Sequence, residues 1–247
     1  MRRLLLFVPV VLLLVAGCGG DPSVQQTPPT STAPPATTTA ATTTAEPPMT
    51  LELFFLAPDG QLVASSRKVE QTQTPGAATL HELMNPEDGT TTQVLDGLKL
   101  TIDNGRAHVT GAAINQAALA QLVYSLTTFP TVKSVNGKTR ADVEAFAPTI
   151  LVEHPAAHEA VTSPLHVTGT ANTFEATFNY RLEDASGKLL AKDFVTATSG
   201  TGTRGTFDFS VPFTVDSAQE GILVVFELSA ENGSVIHERR IPLRLMP

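Results

Sequence analysis

Residues 163–213 read SPLHVTGTANTFEATFNYRLEDASGKLLAKDFVTATSGTGTRGTFDFSVPF. Within this stretch Phe174, Ala176, Phe178, Tyr180 and Leu182 fall on every second position, with Glu175, Thr177, Asn179, Arg181 and Glu183 between them. Successive side chains of a strand point to opposite faces, so the alternation predicts a strand with one dry and one wet side. Phe207, Phe209, Val211 and Phe213 repeat the pattern against Thr206, Asp208, Ser210 and Pro212. Two such strands predict an antiparallel all-β domain, one sheet face in a core and the other in water.

Outward from this stretch, further strands are predicted near 150–153, 165–170, 189–198, 222–230 and 235–245, with turns at 183–187 and 231–233. Seven short strands without a helical period fit an immunoglobulin-like sandwich over 149–247, one lacking the disulfide and core Trp of antibody domains.

Upstream, the pattern is mixed. Strands are predicted at 51–56 and 62–69 around Pro58-Asp59-Gly60, followed by a short helix over 77–84 that Asn85-Pro86 stops. Leu98, Leu100 and Ile102 alternate, and Asp103-Asn104-Gly105 turns the chain into Ala107 and Val109 as a hairpin. Asn115 is a good N-cap for a second helix with one apolar stripe of Leu119, Leu122, Val123 and Leu126, and a last short strand falls at 132–135. This order predicts a small α+β domain, a sheet with two helices, over 49–147. Ala147-Pro148 then breaks regular structure before the sandwich. In the opening strand Phe54 and Leu56 point away from Leu51, Leu53 and Phe55. Two large apolar side chains on that face need cover, either from this chain or from a docked protein. Both residues are therefore candidate binding positions.

At the start of the chain, Arg2 and Arg3 precede an apolar run over 4–15, too short to span a bilayer and suited to a secretory leader. Cys18 is the only cysteine, so the chain has no disulfide and no Cys-based zinc or catalytic thiol site. Residues 21–48 hold 9 Thr, 7 Pro and 5 Ala and nothing larger and apolar than Val24, so this stretch cannot offset its ordering entropy by burial. It reads as an extended tether over 18–48. Net charge is −8, and near −10 once Arg2 and Arg3 leave with the leader. So acidic a chain does not track nucleic-acid backbones and gains nothing electrostatically from anionic lipid.

Sites of chemistry are scarce. GTGTRG at 200–205 has the letters of a dinucleotide loop but opens a Phe-alternating strand rather than a helix. His154, His158, His166 and His237 read as surface histidines, because Pro155 spoils a helical pair of ligands. No nucleophile elbow, H-E-x-x-H or P-loop is present, and no catalytic residue, metal ligand or cofactor is predicted. Asn172, Glu175 and Arg204 are the candidate contact residues, read either as braces between neighbouring turns or as ligand contacts.

Three segments resemble known families. Val15-Ala16-Gly17-Cys18 is similar to the lipobox of bacterial lipoproteins, which implies cleavage between Gly17 and Cys18, leaving 1–17 as signal peptide, and a lipid on Cys18. GLKLTIDNGRAHVTG, then ALAQLVYSLTTFPTV and Asn136-Gly137-Lys138, resembles the GerMN domain of bacterial sporulation and germination proteins. SPLHVTGTANTFEA at 163–176, with RGTF at 204–207 and VPF at 211–213, resembles the immunoglobulin-like domain that accompanies it. Together these imply an extracytoplasmic protein held by lipid to the outer face of the cell membrane. Its expected role is a non-catalytic binding or assembly module with an envelope-protein or cell-wall partner. A solute or metal receptor, or an envelope enzyme, are the alternatives.

Overall fold

The computed structural model describes residues 47–247; the predicted leader, Gly17, Cys18 and nearly all of the tether lie outside them. Residues 47–247 pack as one compact unit. It is an α+β domain followed by an immunoglobulin-like sandwich, and its buried apolar side chains fall in two clusters.

In the α+β part, β1 (Met49–Leu56) and β2 (Leu62–Val69) form an antiparallel hairpin. Helix α1 (Pro75–Leu83) starts on a proline, whose missing N–H costs nothing there. Strands β3 (Lys99–Asp103) and β4 (Arg106–Thr110) turn through Asn104 and Gly105, both at positive φ (47° and 78°), the geometry that Asn-Gly supplies to a tight hairpin. Helix α2 (Gln116–Leu126) is capped by Asn115, whose Oδ1 accepts the Ala118 N–H at 2.8 Å. Strand β5 (Ser134–Val135) runs parallel to β4, and a 3-10 segment (Arg140–Phe146) leads out of the domain.

Helix α2 does not carry a single apolar stripe. From Ala118 to Leu126 it is buried at every position except Leu119, and two of the buried residues, Gln121 and Ser125, are polar. Their role follows from β1, which pairs with a strand on one side only. On its other side Ser125 Oγ accepts the Phe54 N–H at 2.9 Å, and Gln121 Nε2 donates to the Phe54 carbonyl at 3.1 Å. Residues four apart share a helix face, so this pair replaces the ladder bonds of a missing third strand. Farther along, Leu56 exchanges backbone bonds with Thr91 at 2.9 and 2.8 Å.

The sandwich comprises β6 (Ile150–His154), β7 (Ala160–Val161), β8 (Leu165–Ala171), β9 (Thr177–Asp184), β10 (Leu189–Thr196), β11 (Gly205–Val211), β12 (Gln219–Leu228) and β13 (Val235–Leu245). One sheet has the order β10-β9-β12-β13-β7, the other β11-β8-β6. The strand beyond the predicted seven is β7, two residues pairing parallel with β13 and too short to show a period. Aromatic side chains join the sheets: Phe178 meets Phe207 edge-on and Tyr180 stacks on Phe209, each with centroids 4.9 Å apart. Gly169 lies opposite Phe207, where a Cβ would come within 2.6 Å of the ring.

The predicted strand over 174–182 starts late. Phe174 is 53% exposed, because residues Phe174–Ala176 form a 3-10 turn in which Glu175 and Ala176 take positive φ. The turn is held by bonds that compete with sheet pairing: Glu227 Oε1 accepts the Phe174 N–H at 2.8 Å, and Thr201 Oγ1 accepts that of Glu175 at 2.9 Å. Phe178, Tyr180 and Leu182 keep the dry face.

Strand β6 joins the two halves. Ile150 and Val152 point into the sandwich core, whereas Leu151 between them is buried in the core of the α+β domain. Alternation that elsewhere separates core from water here separates two cores.

Candidate functional site

The residue after Leu151 and Val152 on β6 is Glu153, and it faces Arg140 of the 3-10 segment. Arg140 Nη1 donates to Glu153 Oε1 and Oε2 at 2.9 and 2.8 Å, Nε donates to Thr127 Oγ1 at 2.9 Å, and Nη2 to the Tyr124 carbonyl at 3.2 Å. The guanidinium also lies over the rings of Tyr124 and Phe54, at 4.7 and 5.6 Å from their centroids. A second arginine crosses the junction from the other side. Arg204 Nε donates to Glu144 Oε1 at 3.1 Å, Nη2 to the Pro148 carbonyl at 2.8 Å, and Nη1 to the Thr170 carbonyl and hydroxyl at 3.3 Å. Asn172 completes the group: its Nδ2 donates to Glu144 Oε1 at 3.2 Å and its Oδ1 accepts the Gly202 N–H at 2.9 Å. At the far side of the junction Arg239 reaches Asp59 at 2.7 Å.

These contacts wall two adjoining hollows. One, of about 520 Å³, lies over the outer face of β8 and β11, lined by Thr168, Thr170, Thr206 and Asp208, with Thr196 and Thr198 on one side and Arg140 and Glu153 on the other. The other, of about 340 Å³, lies between Tyr124, Glu144 and the loop residues Gly202 and Thr203. Arg140 and Thr170 line both, so the two hollows lie side by side along the domain junction, and together they are called the junction cleft.

Electrostatically the cleft is nearly balanced, since each arginine holds a carboxylate. Burial pushes the Tyr124 phenol above its ordinary range, with Arg204 and Arg140 opposing the shift. Glu52, an exposed residue of β1, has its carboxyl raised from 4.5, first by partial loss of hydration and then by the Glu153 charge.

The structure brings Asn172 and Arg204 onto one carboxylate, that of Glu144. Glu175 is exposed on its turn, outside this group. Phe54 and Leu56 are not surface positions. They are 0% and 5% exposed, covered within the chain: α2 supplies Tyr124, whose ring centroid is 5.3 Å from that of Phe54, and the Thr91 loop pairs with Leu56. Arg140, Glu144 and Glu153 escaped the sequence reading because their partners lie in the other domain. The available signal was in β6, where Glu153 follows three apolar residues on a strand buried on both faces.

Among the described residues, no three His, Cys, Asp or Glu side chains converge as metal ligands, and no helix is long and apolar enough to cross a membrane. His154 and His166 lie with ring centroids 6.4 Å apart, and each faces a carboxylate, Glu159 at 3.5 Å and Asp208 at 2.6 Å.

Comparison with known proteins finds two family matches. Residues 52–136 match a family described as sporulation and spore germination, and residues 149–234 match the immunoglobulin-like domain of bacterial spore germination. No curated protein matches the chain. Among solved structures, the tandem GerMN domains of the sporulation protein GerM from Bacillus subtilis align at 14% identity over 69% of this chain and 63% of that one, with a TM-score of 0.31. CopC from Methylosinus trichosporium OB3b aligns at 17% identity over 40% of this chain and 94% of that one, with a TM-score of 0.25.

Proposed function

The chain pairs a sporulation and spore germination domain with an immunoglobulin-like domain of bacterial spore germination, and on that premise we propose that it is a tethered binding or assembly module of the bacterial cell envelope. In this reading the lipid on Cys18 holds the protein at the outer face of the membrane, and the Thr/Pro/Ala tract spaces its domains from the lipid. The observation that carries the binding role is the junction cleft, a composite surface to which both domains contribute. Clefts of this kind form preferentially where domains meet. Its carboxylates are engaged: Glu153 is held by Arg140, Glu144 by Arg204, and Asp208 by His166. A carboxylate locked to a guanidinium, as Glu153 and Glu144 are, is poorly suited to move protons, so these two support a binding role.

Crosslinking in intact cells, followed by identification of what is covalently attached to the two domains, tests the proposal. Adducts with another envelope protein or with wall material are expected. Recovery of cytoplasmic partners alone would contradict it.

A further inference from the structure

We propose that the junction cleft binds an uncharged, hydroxyl-rich polymer, a neutral glycan chain; this rests on the reading of the cleft as a binding surface. Charge, lining and shape each bear on the ligand class.

The charge balance disfavours an anionic ligand. A phosphate or carboxylate would have to displace Glu153 from Arg140 or Glu144 from Arg204, and both guanidiniums make further bonds to backbone carbonyls. A cationic ligand would find Glu153 and Glu144 taken by arginines and Asp208 paired with His166.

Threonine hydroxyls are the commonest polar groups of the larger hollow, beside Arg140, Glu153 and Asp208. Thr168 and Thr170 project from β8 and Thr206 from β11, on the outer face of the small sheet, and Thr196 and Thr198 enter from the end of β10. Among the described residues, the Thr168 and Thr196 hydroxyls make no side-chain hydrogen bond, whereas those of Thr170, Thr198 and Thr206 do. A hydroxyl both donates and accepts, which matches the hydroxyls of a sugar chain.

The shape distinguishes a glycan from a peptide. A peptide laid on a sheet draws its affinity from main-chain bonds to a free edge. Here the floor is a sheet face, which offers side chains only. The β11 edge at Thr206 is also closed, since its carbonyl accepts the Thr198 N–H and its N–H is bound by Thr198 Oγ1, both at 2.9 Å. Arg140 and Thr170 wall both hollows, so the two lie side by side, where a chain longer than one sugar could reach from one to the other.

The test is affinity electrophoresis of the full chain, purified in detergent, in native gels containing hydroxyethyl cellulose, soluble chitin, or anionic polygalacturonate. The comparison protein carries Thr168→Val and Thr196→Val, which remove hydroxyls while keeping side-chain volume and strand preference. Retardation by a neutral glycan is expected. The double variant should bind about tenfold more weakly, the equivalent of one or two neutral hydrogen bonds, with an unchanged melting temperature. Equal retardation of the variant would place the ligand elsewhere and overturn the inference. So would retardation by polygalacturonate alone, or mobility unchanged in every gel. In that last case an envelope adduct in intact cells would still leave the binding module standing.

Discussion

Arg140 and Glu153 meet across the junction of two domains, one guanidinium nitrogen bonded to both carboxylate oxygens at 2.9 and 2.8 Å. Both side chains are mostly enclosed, at 29% and 16% exposure, so the pair is screened less than a surface pair. Arg140→Ala leaves Glu153 facing Glu52 without its counter-charge. A loss of about 1–3 kcal/mol is expected in denaturant unfolding. Arg140→Lys should recover only part of it, because an ammonium cannot reproduce the fork over two aromatic rings.

Ser125→Ala removes the acceptor for the Phe54 N–H, a buried backbone donor on the open side of β1. Leaving such a group unpaired costs about 1–3 kcal/mol. Urea unfolding checks this, and Ser125→Thr should be worse than wild type as well, since Ser125 is 0% exposed and an added methyl has no space.

Ser125 and Gln121 also mark how far sequence can be read here. Local periodicity and turn chemistry made β9, the Asn104-Gly105 hairpin and the Asn115 cap legible, because each depends on residues close together in the chain. A polar residue in a helix reads as solvent-facing unless its partner is known, and Phe54 is 71 residues from Ser125. The same limit hid the cleft: Arg204 is 60 residues from Glu144. Arg204 and Asn172 were recognisable as polar residues in distinctive loops, but the carboxylate that unites them was not. Phe174 misled for the opposite reason, since its alternation continued past the point where loop hydrogen bonds had ended the strand.

Glu52 provides a pH signature. Its folded-state pKa is raised above 4.5, by loss of hydration first and by Glu153 second. The folded state therefore holds its proton more tightly than the unfolded chain, and stability falls as pH rises from about 4.5 through the raised value. Glu52→Gln should be the more stable protein at pH 7, with the two melting temperatures converging near pH 4. Glu52 keeps contact with water, so the difference is small. An unchanged gap at both pH values would mean that Glu52 is not strained by its surroundings.

For the anchor, Cys18→Ala is expected to abolish labelling by a lipid precursor and to release the protein from the membrane fraction or leave it unprocessed. Fractionation with metabolic lipid labelling reads both effects. A lipid-labelled membrane protein from the variant would sink the anchor proposal.

If the protein is a tethered binding module, the domain junction is its working surface. Photoreactive amino acids at exposed Thr203 in the cleft, and at exposed Ala185 on the turn between β9 and β10, test it in intact cells. A high-mass adduct is expected from position 203 and little or none from 185. Adducts from position 185 with none from 203 would contradict it.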